Sequence, residues 1–125
     1  MKQYVQITKD FSFEAAHYLP EYEGACAAMH GHSYKLSVTV GGTIDSKSEI
    51  VSDRMVIDFK DLKHIVNTEV IKAFDHSCLN DHFSIPTAET IAVFIFELLW
   101  TSLPKDVDLI SVKLWETADS FVEVR

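Results

Sequence analysis

The chain has 125 residues, 47% of them hydrophobic and 24% charged, with a formal net charge of −8. That balance describes one soluble globular domain spanning residues 1–125, with a real core, and excludes a disordered chain. The acidic surplus excludes non-specific nucleic-acid binding, and the absence of a signal-like or membrane-length apolar run makes the cytoplasm, with no membrane partner, the expected place. Residues 3–14 alternate Val5, Ile7, Phe11 and Phe13 against polar neighbours, broken on the apolar side only by Lys9, as in a half-buried strand. Unbroken by a bend at Ala15-Ala16, that alternation carries His17 onto the apolar face. Residues 18–29, with Pro20 and Gly24, read as a loop leading past Cys26 to the second strand.

From His30 the even positions read His30, His32, Tyr34, Leu36, Val38 and Val40, and the odd ones Gly31, Ser33, Lys35, Ser37 and Thr39. This second strand is expected to end at Gly41-Gly42, with residues 43–54 a polar, hairpin-like excursion and Met55–Phe59 a short return strand. From Asp58 or Lys60 the period changes. Phe59, Leu62, Ile65, Val66, Val70, Ala73 and Phe74 recur three or four apart, the stripe of an amphipathic helix. A second helix is expected from Thr87, an N-cap with Glu89 in the first turn, and it stops before Pro104. Its apolarity nearly all round fits burial against both a sheet and another subunit. Residues 108–116 alternate again, with Ile110, Val112, Leu114 and Glu116 on one face, and residues 120–125 form a last strand. The order is β-β-α-α-β-β: an α+β fold with a four-stranded antiparallel sheet, its two helices inserted between strands 2 and 3 and covering one face.

His30 and His32 lie on one face of one strand, roughly 7 Å apart at Cα, and His17 ends the neighbouring strand. Three imidazoles would leave a tetrahedral Zn²⁺ one open position, the catalytic rather than the structural arrangement. Fe²⁺ and Ni²⁺ accept the same donors. Cys26 is a fourth ligand, a nucleophile or a base whose thiolate a nearby dication would stabilise. Cys78, with no motif of its own, reads as an inert buried thiol. Asp75-His76 pairs a carboxylate with an imidazole and suits acid–base work, or serves as a helix end. Glu116 is an inward carboxylate that needs a partner from protein or ligand. His64 and His82 read as surface residues.

Together these residues resemble one family. Phe13-Glu-Ala-Ala-His17, Cys26-x-x-x-His30-Gly-His32, Asp75-His76-x-x-Leu79-Asn80, Pro86-Thr87-x-Glu89 and Trp115-Glu116-Thr117 are similar to the motifs of the 6-pyruvoyltetrahydropterin and 6-carboxytetrahydropterin synthases. The short Cys26–His30 spacing and Val56-Ile-Asp58-Phe59 look like the bacterial carboxy branch of queuosine biosynthesis. The resemblance implies the tunnelling fold, a homohexamer built as a dimer of trimers, and active sites between subunits. It implies 7,8-dihydroneopterin triphosphate as substrate and one Zn²⁺ per subunit on His17, His30 and His32. It implies further that Cys26 abstracts a proton, Asp75 and His76 relay protons, and Glu116 grips the pterin with Thr87 and Glu89 nearby. The products it implies are 6-carboxytetrahydropterin, triphosphate and acetaldehyde. The alternatives are the pyruvoyl synthase, a paralogue cleaving the pterin to a hydroxymethyl product (whose members usually carry glutamate in place of Cys26), and a non-catalytic pterin- or zinc-binding scaffold. Lys35, Arg54 and Lys60 are candidates for the triphosphate, and residues 45–54 are longer and more polar than compact bacterial members lead one to expect.

Overall fold

The computed structural model describes residues 1–24 and 27–125. Two long strands, β1 (Lys2–His17) and β2 (His30–Asp45), pair antiparallel over their whole length, from Lys2↔Asp45 to His17↔His30. The register has no break at Ala15-Ala16, so the alternation of Phe11, Phe13 and Ala15 delivers His17 to the inner face, where it is 2% exposed. β4 (Asp108–Thr117) pairs with β2 and β5 (Ser120–Val124) with β4, both antiparallel. A fifth element, β3 (Ser77–Cys78), lies parallel to β1. The order across the sheet is β3-β1-β2-β4-β5. The α+β expectation holds, but the sheet is mixed and has five strands rather than four. A two-residue strand carries no periodicity that a sequence could reveal.

Three further expectations are corrected. Gly41-Gly42 does not end β2. Both glycines stay in the ladder opposite Gln6 and Val5, and a Cβ on Gly41 would lie 2.5 Å from the Tyr4 hydroxyl oxygen. The missing side chain there makes room for a ring, not for a turn. Met55–Phe59 is not a strand: a 3₁₀ turn (Val51–Arg54) runs through irregular chain to Asp58, whose carboxylate accepts the Lys60 N–H and caps α1 (Phe59–Val66). Ile110 is only half-buried, because the β2–β4 register slips between Thr39 and Val40 and hands the core position to Leu109.

α1 continues through one π-helical turn (Asn67–Ile71) into α2 (Lys72–Phe74), so the expected helix is present with a wide turn inside it. α3 (Ala88–Ser102) starts where Thr87 Oγ1 accepts the Thr90 N–H. The core lies between these helices and one sheet face: Phe13, Tyr34, Leu36 and Val38 meet Leu62, Val66, Ile91, Ile95 and Leu99. α3 nevertheless leaves Val93 and Phe94 44% exposed and Trp100 64% exposed. Among the described residues, no helix is long and apolar enough to cross a membrane.

The opposite face of the sheet is polar. Ser37 donates to Asp10 at 2.6 Å, and Lys35 pairs with the same carboxylate at 3.4 Å. The Ser37 bond, opposed by burial and reinforced by Lys35, holds the Asp10 carboxyl below its ordinary value of 3.8. The unfolded chain therefore takes up that proton first. Asp10 contributes stability that is present above about pH 3.9 and is lost as pH falls through its folded value. Ser37→Ala should raise the Asp10 pKa toward 3.8, as followed by carboxyl-carbon NMR titration. On the inner face Leu36 is 0% exposed, and Leu36→Ala should cost about 2–5 kcal/mol in urea unfolding.

Candidate active site

The β1–β2 register brings three imidazoles together at one end of the sheet. His17 faces His30 directly, and His32 sits opposite Ala15, so all three fall on the inner face. Ring centroids are 4.7 Å apart for His17–His30, 4.8 Å for His30–His32 and 5.2 Å for His17–His32. One nitrogen from each ring lies within 4.8 Å of the others, with the Nε2 atoms of His17 and His30 at 3.1 Å.

Hydrogen bonds at the far side of two rings decide which nitrogen carries the proton. His17 Nδ1 is 2.8 Å from the Pro86 carbonyl oxygen, and His30 Nδ1 is 2.7 Å from that of Ala28. A carbonyl only accepts, so both Nδ1 atoms hold protons, and in the neutral form of each ring Nε2 presents a lone pair. Two lone pairs at 3.1 Å repel unless a cation lies between them. His32 Nε2 is buried with no hydrogen-bond partner, and burial, opposed by the Glu116 charge, lowers the His32 pKa and keeps the ring neutral. Three imidazoles, two with outer nitrogens fixed by backbone carbonyls, fit a divalent metal. Bonds of 2.0–2.1 Å at a tetrahedral ion would separate donor atoms by about 3.3 Å.

Glu116 approaches from β4. The β4–β5 register shifts between Trp115 and Thr117, leaving Glu116 as the extra residue of a bulge, which re-aims a side chain. Its oxygens stand 3.8 Å from His17 Nε2 and 3.7 Å from His32 Nε2, close enough for charge to matter and too far for a hydrogen bond. Tyr34, fully buried and stacked on Phe13, places its hydroxyl 3.4 Å from His17 Nδ1. Burial, then the Glu116 charge, raises its pKa and keeps the phenol protonated.

His32 lines two clefts. One, of about 420 Å³, also has Glu14, Gly31, His76 and Ser77 along it; the other, of about 450 Å³, has Lys35, Trp115, Glu116 and Thr117. Gly31, without a side chain, belongs to both. His76 is exposed beside the first cleft, and its Nε2 is 3.6 Å from Asp75 Oδ2. Asp75 Oδ1 is engaged elsewhere, accepting the Glu14 N–H at 2.9 Å. Thr87 follows the carbonyl that holds His17 and spends its hydroxyl on the α3 cap. Glu89, two residues on in the first turn of α3, is exposed and stands outside the histidine cluster. Cys26 lies outside the described residues. Cys78 is half-buried, and His64 and His82 are exposed.

Sequence reasoning missed the Pro86 and Ala28 carbonyls, because a main-chain acceptor has no residue type to recognise. Tyr34 was visible only as a core residue. Its parity with His30 and His32 was the available signal.

The sheet order, the paired helices and the three converging imidazoles define a tunnelling-fold protein with a metal-compatible centre. Caenorhabditis elegans 6-pyruvoyl tetrahydropterin synthase superposes with a TM-score of 0.84 at 26% identity, over 98% of this chain and 96% of that one. Residues 6–125 match the family model described as 6-pyruvoyl tetrahydropterin synthase. The 6-carboxy-5,6,7,8-tetrahydropterin synthase of Haemophilus influenzae is 36% identical over 140 residues, covering 94% of this chain and 96% of that protein. A dihydroneopterin monophosphate aldolase of Pyrococcus furiosus is 38% identical over 115 residues, covering 90% of each. The chain belongs to the 6-pyruvoyl tetrahydropterin synthase family and is an enzyme of the tetrahydropterin synthase type.

His17→Ala removes one lone pair from the cluster. Metal affinity, measured by competition with a chromogenic chelator, should fall by more than the roughly 10–100-fold that loss of an outer partner costs.

Proposed function

We propose that this protein is a zinc-dependent 6-carboxytetrahydropterin synthase. It would convert 7,8-dihydroneopterin triphosphate to 6-carboxy-5,6,7,8-tetrahydropterin, triphosphate and acetaldehyde, in the 7-deazaguanine (queuosine) route. The carrying observation is the approach of the His17 and His30 Nε2 atoms to 3.1 Å, beside the orphaned Nε2 of His32 and facing Glu116. His17, His30 and His32 would hold the ion, one per subunit. When bound, Zn²⁺ supplies Lewis acidity that polarises the side-chain oxygens of the substrate and acidifies the adjoining C–H bonds.

The chain's own residues do the rest. Cys26, as thiolate, takes the proton from the substrate side chain. His76, with the Asp75 carboxylate 3.6 Å away, carries protons on the other side of the Gly31 opening, where its ring borders the same cleft as His32. Glu116 accepts hydrogen bonds from the N–H edge of the pterin, and two carboxylate oxygens suit a bidentate grip. Thr87 and Glu89 would stand near the bound pterin, although neither lines the two clefts at His32. Lys35, at the rim of the cleft that holds Glu116, is a candidate for the triphosphate, with Arg54 and Lys60.

The domain, residues 1–125, would work as a homohexamer of two stacked trimers in the cytoplasm, with active sites between subunits. The exposed Val93, Phe94 and Trp100 on α3 support burial by neighbours. The relative named as a dihydroneopterin monophosphate aldolase keeps a second reading open, in which a dihydroneopterin phosphate is cleaved to a hydroxymethyl product.

The test is incubation of zinc-loaded protein with 7,8-dihydroneopterin triphosphate, followed by mass analysis. The expected products are 6-carboxytetrahydropterin, acetaldehyde and triphosphate. Pyruvoyltetrahydropterin alone would assign the sister synthase, a hydroxymethylpterin the aldolase, and bound pterin without triphosphate release a scaffold. Cys26→Ala should abolish turnover while zinc stays near one per chain; zinc loss would instead make Cys26 a ligand.

A further inference from the structure

The parallel ladder between β1 and β3 has two pairs, Ala15↔Ser77 and Ala16↔Cys78. Continued outward, that register sets Glu14 opposite His76 and Tyr18 opposite Asn80. The backbone cannot complete the ladder at either end. His76 sits at φ +59°, in the left-handed region, although its N–H still reaches the Glu14 carbonyl at 2.6 Å. After Cys78 the chain curls into a 3₁₀ turn, Leu79–Asp81.

Side chains replace the missing backbone at both ends. Asp75 Oδ1 accepts the Glu14 N–H. Asn80 does more: its Oδ1 accepts the Tyr18 N–H at 3.0 Å, and its Nδ2 donates to the Tyr18 carbonyl at 2.9 Å. A carboxamide carries the donor and acceptor of a peptide group, so Asn80 acts as one more strand residue. Tyr18 directly follows His17 and opens the segment that runs through Cys26 to His30.

We propose that Asn80 is a positioning residue for the reaction. By holding Tyr18 at both polar groups, it fixes the direction in which the chain leaves His17 toward Cys26. It ties that direction to the segment carrying Asp75 and His76. The groups assigned to proton transfer lie on two pieces of chain that share no long element, and the two Asn80–Tyr18 hydrogen bonds join them. Asn80 itself stands outside the histidine cluster and lines neither cleft at His32. This role rests on the proposed pterin chemistry.

The experiment compares Asn80→Ala and Asn80→Asp with the native protein, all zinc-loaded and full-length. It measures kcat and KM on 7,8-dihydroneopterin triphosphate, zinc content, and hydrogen exchange at the Tyr18 amide. Asn80→Ala should lower kcat by about 10–100-fold, the scale of a small misplacement of reacting groups, with KM and zinc content little changed. Asn80→Asp keeps an acceptor for the Tyr18 N–H and loses the donor to its carbonyl, so its kcat should fall between the two. Tyr18 exchange should quicken in the same order. Native kcat in both variants overturns the proposal, and so does a loss of kcat that tracks loss of zinc. If Asn80→Ala fails to fold, Asn80→Asp decides on the same criteria. A native protein that releases no triphosphate refutes the synthase reading instead, and the clamp is then judged on Tyr18 exchange with zinc retained.

Discussion

The uninterrupted pairing of β1 with β2 is the constraint on which this molecule depends. Side chains in a strand alternate with period two, so a slip of one residue would turn every inward group outward. Lys2↔Asp45 at one end and His17↔His30 at the other belong to the same unbroken register. The apolar residues enforce it. Phe11, Phe13, Tyr34, Leu36 and Val38 all face the helices, and moving any of them into water costs on the order of 1.5–3 kcal/mol. The histidines are carried along by that bookkeeping. Their convergence at the strand end is a consequence of core packing further along the same strands.

Convergence alone would be unfavourable. Three imidazoles crowd one spot, with Nε2 atoms as close as 3.1 Å and another Nε2 buried without a partner. The fold tolerates this arrangement because backbone carbonyls at Pro86 and Ala28 orient two of the rings from behind. Pro86 immediately precedes the Thr87 cap of α3, so the start of that helix and the orientation of His17 are set by neighbouring residues. Helix packing, capping and ligand orientation therefore meet at one junction.

The bulge at Glu116 and the short ladder at Ser77–Cys78 show how irregularity supplies the remaining groups. A regular β4 would not leave an extra residue opposite β5 at the position where a carboxylate faces His17 and His32. A regular third strand would not leave His76 in a left-handed conformation beside the Gly31 cleft. Each departure from regular geometry is held by specific hydrogen bonds, those of Asp75 and Asn80 among them. Such positions are where sequence periodicity is least informative.

The chain by itself determined the four longer strands, the helices and the three histidines, because period two, period 3.6 and a Thr cap are local properties of neighbouring residues. It also carried Glu116 as an inward acid and Asp75-His76 as a pair. Only the tertiary structure decided that Gly41-Gly42 continue a strand, since their role is to admit the Tyr4 ring from a neighbouring strand. It alone decided that residues 55–59 are irregular chain rather than strand, and that Ser77–Cys78 extend the sheet. The tautomers of His17 and His30 belong with these, for they are set by main-chain carbonyls that look alike at every position of a sequence. What depends on contacts between distant segments has no local signature, and the chemistry of this site is built largely from such contacts.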